Sequence, residues 1–294
     1  MEKDSLYISK YWPQIVVLGL LTSAVFLGHL SFSLNKHSDL LKVAFLDVGQ
    51  GDSIYIEAPN GRQMLIDSGP GNTVLSKLSE VMPFYDRSID ILLATHADAD
   101  HISGFPSIMD HYSIGLIFEN GVDGTTATYG RLEDKISEYK IQKLIAHRGT
   151  RIVLDQARNI YIDILAPDRD VSKADSNDGS IVCRLVYGSE SFMLTGDATM
   201  KTEGWILADN SPESIHSTIL KLGHHGSKYS SSTPWLQVVH PDEAIISAGL
   251  HNKYGHPSSD TLDRLASLNI PYLATLGKGS IIFETDGRSI KEAK

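Results

Sequence analysis

The chain has 294 residues and a formal net charge of −10, with 41% of its residues hydrophobic and 21% charged. Those values exclude a disordered chain and argue against a broad basic surface for non-specific nucleic-acid binding. The lone cysteine, Cys183 in SIVCRLV, excludes an internal disulfide and reads as a small buried residue, not a nucleophile.

A short tail, residues 1–14, leads into IVVLGLLTSAVFLGHLSFSL, residues 15–34, which carries no charged side chain at neutral pH. At about 1.5 Å per residue this run spans roughly 30 Å, one hydrocarbon core. It is apolar on every face, so it reads as a transmembrane anchor. A cleavable signal peptide is the rival reading. The run is long for that, and no clean A-x-A site follows it. Lys3 and Lys10 precede the span and Lys36 and Lys42 follow it, which leaves orientation nearly undecided by charge.

Residues 40–294 read as one globular domain. KVAFLDV, SIYIEA, RQMLID and IDILLATH are β-branched or apolar runs bounded by turn signals such as PNG and GPGN. SIYIEA and MLID make a hairpin through PNGRQ. NTVLSKLSEVM reads as a helix, because Val74, Leu78 and Val81 recur at helical spacing. SGFPSIMDHYS and RLEDKISEYK read as two more helices. IYIDILAP, SIVCRLVYGSESFMLTGD and STILKLGHHG read as strands. EAIISAG, DTLDRLASLN and SIIFETDG close the chain as strand, helix, strand. This mix is not the strict alternation of a doubly wound sheet; it suits two sheets back to back with helices outside.

Chemistry-bearing residues collect where apolar strands stop. THADADH, residues 95–101, packs His96, Asp98, Asp100 and His101 into one strand-to-helix turn. Crowded carboxylates repel, so that turn implies a positive charge among them. LIDSG places Asp67 at another strand end, and FMLTGD places Asp197 at a third. LKLGHHGS adds His224 and His225, and IISAGLHNKYGHP adds His251, Asn252 and His256. Ligand-type residues on successive strand ends converge on one crevice. Asp47 and Asp52 in FLDVGQGDS read as residues that orient loops beside it. Gln50 is a candidate substrate contact, and Gly49 and Gly51 serve a turn. His29, His216 and His240 read as structural.

Taken together, LIDSG, THADADH, LTGD and HHGS resemble the metallo-β-lactamase superfamily. Where that family has H-x-H-x-D-H, this chain has Asp98 in the second position. That variant, with FLDVGQGDS, LKLGHHGS and YGHP, is similar to the extracytoplasmic domain of ComEC-type DNA-uptake proteins over about residues 42–286. The resemblance implies an αββα sandwich behind one transmembrane helix, with a dinuclear site of zinc or manganese. It implies His96 and Asp98 on the first metal, Asp100 and His101 on the second, and Asp197 between them. His224 or His225 completes the second. Asp67 orients a ligand or a bridging water from behind.

A histidine that many family members place before the TGD motif is missing from KADSNDGSIV; Asn177, Ser180 or water is expected there, leaving the first metal a thinner shell. His111 and His147 lie in the same interval without a suitable setting. The resemblance further implies a hydrolase of phosphodiesters, DNA first. Asp100, Asp67, His256 and Lys228 are the residues expected to carry the chemistry, and Tyr254, Lys253, Gln50 and Ser227 stand near them. It implies a single-pass cell-membrane protein, catalytic domain outside the cytoplasm, working beside a separate channel or free-standing. Two other readings remain: hydrolysis of a lactone, thioester or small ester, and a non-catalytic module that binds DNA or another ligand.

Overall fold

The computed structural model describes residues 11–26 and 39–293, which fall into two units divided at Ser38. In the first unit, residues 11–26 form a helix, α1. The remainder of the expected span, residues 27–34, lies outside the described residues. No described helix is long and apolar enough to cross a membrane.

The second unit holds two sheets. β1 (Leu41–Phe45), β2 (Ile54–Glu57) and β3 (Gln63–Ile66) run antiparallel. β4 (Ser88–Leu93), β5 (Ser113–Glu119) and β6 (Gln142–Ile145) then extend that sheet in parallel. The second sheet repeats this plan. β7 (Arg151–Asp155), β8 (Ile160–Ala166), β9 (Val182–Tyr187) and β10 (Glu190–Leu194) are antiparallel. β11 (Ile219–Lys221), β12 (Glu243–Ile246) and β13 (Tyr272–Ala274) follow in parallel. β14 (Ile281–Thr285) returns to pair with β1 and is followed by β15 (Ile290–Glu292). The expected back-to-back sheets are present. Parallel crossovers are more prominent than the hairpin reading suggested, because β5 and β6 lie in segments that gave no strand signal.

Helices cover both outer faces. α2 (Thr73–Val81) buries Val74, Leu78 and Val81, the three residues whose spacing predicts it. The expected helix over residues 103–113 is α4 (Phe105–His111), which starts with a proline in its first turn, and a separate single turn, α3 (Ala99–Ile102), precedes it. Proline has no N–H to give, so this is where it fits. α5 (Ala127–Tyr139) begins earlier than its apolar spacing suggested, because the Thr126 hydroxyl caps it by accepting from the Tyr129 N–H at 3.2 Å. α6 (Met200–Asp209), α7 (Pro212–Ile215), α8 (Thr233–Val239) and α9 (Ser259–Ser267) lie along the second half.

Three apolar clusters separate these layers. The central one joins inward faces of both sheets, with Phe283 edge-on to Phe45 and Phe192 at 6.1 and 6.2 Å. Each such ring, fully buried, contributes about 1.5–3 kcal/mol from apolar burial. A second cluster packs α2, α4 and α5 on the first sheet, and a third packs α6, α8 and α9 on the second. The layer order is therefore α, β, β, α.

Candidate metal centre

Both runs of parallel strands present loops to the site. The chain leaves β3 at Asp67 and β4 at His96; it leaves β10 at Asp197 and β11 at His224 and His225. Asp67 holds a left-handed backbone, φ 55°, uncommon for a residue with a side chain. That turn aims its carboxylate inward. It accepts from the Thr95 N–H at 2.8 Å and the Thr95 hydroxyl at 2.7 Å, and its Oδ2 lies 2.8 Å from His101 Nδ1. His224 and His225 are also left-handed, φ 49° and 56°. Such backbone costs roughly 1–3 kcal/mol per residue and persists only where packing enforces it.

THADADH folds as the turn its composition demands. Asp98 is the N-cap of α3, yet its carboxylate makes no capping bond. It accepts instead from the Ser176 hydroxyl at 2.8 Å and faces His96 Nε2 at 3.6 Å. Asp100 and His101 fill the single turn of α3. The loop at residues 49–52 lies directly on this turn because position 51 is glycine: φ is 141°, and a Cβ there would collide with the Asp100 carbonyl.

Asp100, His101, Asp197 and His225 bring one ligand atom each into a cluster within 4.8 Å, a group that can hold a metal ion. Asp197 sits between the imidazoles: Oδ1 is 3.3 Å from His101 Nε2, and Oδ2 is 3.4 Å from His225 Nε2. Asp100 Oδ2 is also 3.4 Å from His225 Nε2. The His96 ring lies 4.1 Å from that of His101. The Nε2 atoms of His96, His101 and His225, and Oδ1 of Asp197, are buried without a hydrogen-bond partner. Orphaned buried polar atoms are costly, and those of His101, Asp197 and His225, all members of the cluster, fit a cation that they would share. Their Nδ1 sides are occupied. His101 Nδ1 faces Asp67, and His225 Nδ1 lies 2.9 Å from the Ser247 carbonyl. That fixes the tautomer with Nε2 free.

Electrostatics agree. Burial alone would lower both imidazoles. Asp197 and Asp67 nevertheless push His101 well above its ordinary pKa, and Asp197 and Asp52 do the same to His225. Burial would raise Asp197, but His225 and His101 hold it well below the carboxylate range. Without a metal these carboxylates thus favour protons on the two histidines, positive charge that a bound cation would supply instead.

His225 therefore joins the cluster; His224, a quarter exposed, approaches only Asp197 Oδ2, at 3.8 Å. The segment without a histidine sends other groups. Ser176 holds Asp98. The Ser180 hydroxyl is 3.4 Å from His96 Nδ1 and accepts from the Asp197 N–H at 3.2 Å. Asn177 Nδ2 lies 3.5 Å from His224 Nδ1, and its Oδ1 is buried and unpartnered. Asp178 pins this segment to the start of α6 through the Lys201 ammonium at 2.8 Å.

His256 lies edge-on to the His224 ring at 5.3 Å and stacks on Tyr254 at 5.8 Å. Desolvation, then His224 and His225, lower its pKa to about 4. Its surroundings therefore favour the neutral imidazole. Asn252 braces its loop, donating to the Gly249 and His256 carbonyls and accepting from the Tyr254 and His256 N–H groups. Gln50 accepts from the Gly249 N–H at 3.2 Å. Lys228 and Lys253 are exposed, each with its ammonium 5.1 Å from the neighbouring tyrosine ring. His111 is exposed and turns to the Ser107 carbonyl of its own helix; His147, also exposed, turns to Arg148.

Sequence reasoning missed Lys221 and undervalued Asp52. Both are buried, and they form an ion pair directly behind the cluster. A signal was present. LKLG puts a lysine inside an apolar strand, and a buried ammonium requires a partner.

Residues 46–250 match the family model of the metallo-beta-lactamase superfamily. ComE operon protein 3 of Bacillus subtilis is 30% identical over 274 residues, covering 84% of this chain and 33% of that protein. Recombination protein 2 of Haemophilus influenzae is 30% identical over 266 residues, covering 86% and 30%. The chain thus spans about a third of the length of these relatives. Among solved structures, the metallo-beta-lactamase fold protein YhfI from Bacillus subtilis superposes with a TM-score of 0.56 at 13% identity, covering 84% of this chain and all of that one. The match over most of the domain, with the strand-end cluster just described, places the chain in the metallo-beta-lactamase superfamily, as a domain of the ComEC type.

Proposed function

We propose that the domain is a two-metal hydrolase of phosphodiesters, with DNA as its substrate. The observation that carries this reading is Asp197: its two oxygens face two imidazoles whose Nε2 atoms have no hydrogen-bond partner. Asp100, His101, Asp197 and His225 would hold one divalent ion. His96 and Asp98, with Asp197 shared, would hold the other, and Asn177, in the segment without a histidine, has a buried Oδ1 with no partner. When bound, two such ions supply Lewis acidity, an activated water and charge stabilisation for an in-line displacement.

The chain's own groups complete the arrangement. Asp67 and Ser247 hold the imidazoles in the ligating tautomer. Neutral His256 sits beside His224 to accept from or donate to a substrate oxygen as an uncharged partner. Lys228 and Lys253 give cationic edges against the overall −10. The names of the curated relatives, a competence protein and a recombination protein among them, support DNA as the substrate. On the same reading residues 15–34 anchor the protein in the cell membrane with the domain outside, beside a separate channel.

The test uses metal-free full chain reloaded with Mn²⁺ or Zn²⁺. It should cleave bis(p-nitrophenyl) phosphate and single-stranded DNA. Fast lactone or thioester hydrolysis without cleavage of either diester would transfer the site to that chemistry, and DNA binding with no turnover at all would make it a binding module. Alkaline phosphatase fused after Lys294 should be active if the domain lies outside the cytoplasm.

A further inference from the structure

Lys221 ends β11, is fully buried, and pairs with the equally buried Asp52. Four contacts tie this pair to the cluster. Asp52 Oδ1 lies 3.3 Å from His225 Nδ1, and Asp52 Oδ2 lies 4.0 Å from His101 Nδ1. The Lys221 ammonium donates to the Gly196 carbonyl at 2.8 Å, one residue before Asp197, and lies 3.8 Å from Asp197 Oδ1. One ion pair thus touches both histidines and the loop that carries the shared carboxylate. None of these contacts faces solvent.

We infer that Lys221 and Asp52 are positioning residues of the metal centre: the pair holds His225 and the Asp197 loop in ligating geometry, and sets the affinity of the inner ion, the one that Asp100, His101, Asp197 and His225 would hold. The inference rests on the two-metal reading of the site. A purely structural ion pair would need only each other. This one reaches the non-ligating edge of the His225 imidazole at 3.3 Å, where a carboxylate orients the ring and strengthens its free nitrogen as a donor, while His101 is held at that edge by Asp67.

Charge separates the possible roles. Asp52, Asp67, Asp98, Asp100 and Asp197 are five carboxylates, and Lys221 is the one ammonium among them. With neutral histidines the set carries −4, which two divalent ions cancel. Removing Lys221 alone would change that balance and unpair Asp52 at once. Removing both partners leaves −4 unchanged, so the double variant Asp52→Asn/Lys221→Met isolates what the pair does through geometry.

Metal-free full chain, wild type and double variant, is titrated with Mn²⁺ and with Zn²⁺ by calorimetry, with bound metal counted by mass spectrometry and metal-free Tm recorded. The expected result is two ions in the wild type, and a 10- to 100-fold weaker inner ion in the double variant, the range that follows loss of such supporting carboxylates. The metal-free Tm should fall far less than it would for either single variant. Equal affinities for both ions in the two proteins would overturn the inference while leaving the two-metal reading intact. No uptake of either metal by the wild type would overturn that reading, and this inference with it. If the double variant does not fold, Lys221→Arg keeps the charge and displaces the donor. Weaker inner-ion binding in that variant supports positioning; unchanged binding reduces the pair to a folding role.

Discussion

His225 and His224 are neighbours in sequence, and the structure assigns them different work. His225 is 1% exposed and aims Nε2 at both Asp100 and Asp197, each at 3.4 Å. His224 reaches only Asp197, at 3.8 Å, and its other nitrogen faces Asn177. His225→Ala removes one of four donors around the inner ion. Complete four-ligand zinc sites bind with about 10–16 kcal/mol, so one ligand contributes roughly 2.5–4 kcal/mol. That is a loss of about 10² to 10³ in affinity. His224→Ala removes no member of the cluster and should cost tenfold or less. Metal-free protein is titrated with Zn²⁺ against a chromophoric chelator, and circular dichroism confirms the fold of each variant. If His224→Ala loses the ion and His225→Ala keeps it, the assignment is wrong, and the left-handed turn must swing the two rings on loading.

Three further outcomes follow from particular residues. With a folded pKa of about 4 against an ordinary 6.5, His256 takes up its proton later than it would in the unfolded chain. Acidification from 6.5 to 4 therefore destabilises the native state, and His256→Ala should flatten the urea midpoint of metal-free protein across that window; equal slopes would refute the environment described. Cys183 is buried, and desolvation raises its thiol to about 12, so native protein should resist a thiolate-selective reagent at pH 8 and react fully in guanidinium; native labelling would contradict this. Lys228→Ala and Lys253→Ala should raise KM for DNA more than for a small diester and reduce the salt dependence of binding; equal effects on both substrates would remove these lysines from the polyanion path.

The site was legible wherever its chemistry lies in contiguous strings. THADADH, LTGD and HHGS announce themselves because a short polar run after an apolar strand has few structural uses. The layer architecture was legible for a related reason: Val74, Leu78 and Val81 carry the helical period whatever they pack against. What stayed hidden depends on pairing across the fold. Asp52 and Lys221 come from different sheets, and no local pattern joins them. The choice between His224 and His225 depends on two consecutive left-handed residues, a geometry that HHGS does not encode by itself. α5 starts earlier and α4 later than expected because a threonine cap and a proline, rather than apolar spacing, set their starts.

Asp98 has consequences for which metal serves the site and where substrate enters. Carboxylate in place of imidazole, and no histidine in KADSNDGSIV, leave the outer position near His96 with harder and fewer protein donors. Such a set favours zinc less strongly over manganese. It also faces water: the Asp98 side chain is 45% exposed, whereas His101 and His225 are buried, with the Asp52–Lys221 pair behind them. On the two-metal reading the halves of the site therefore differ in kind. An ion held among His101, Asp197 and His225 would sit against buried, oriented imidazoles and bind as part of the fold. An ion held by His96 and Asp98 would keep open coordination and exchange with solvent. On the proposed phosphodiesterase reading, substrate passing Lys228 and Lys253 would meet that side first, where a missing protein ligand leaves room for a substrate oxygen. The departure from the common family motif thus falls on the exposed half of the site and spares the buried one.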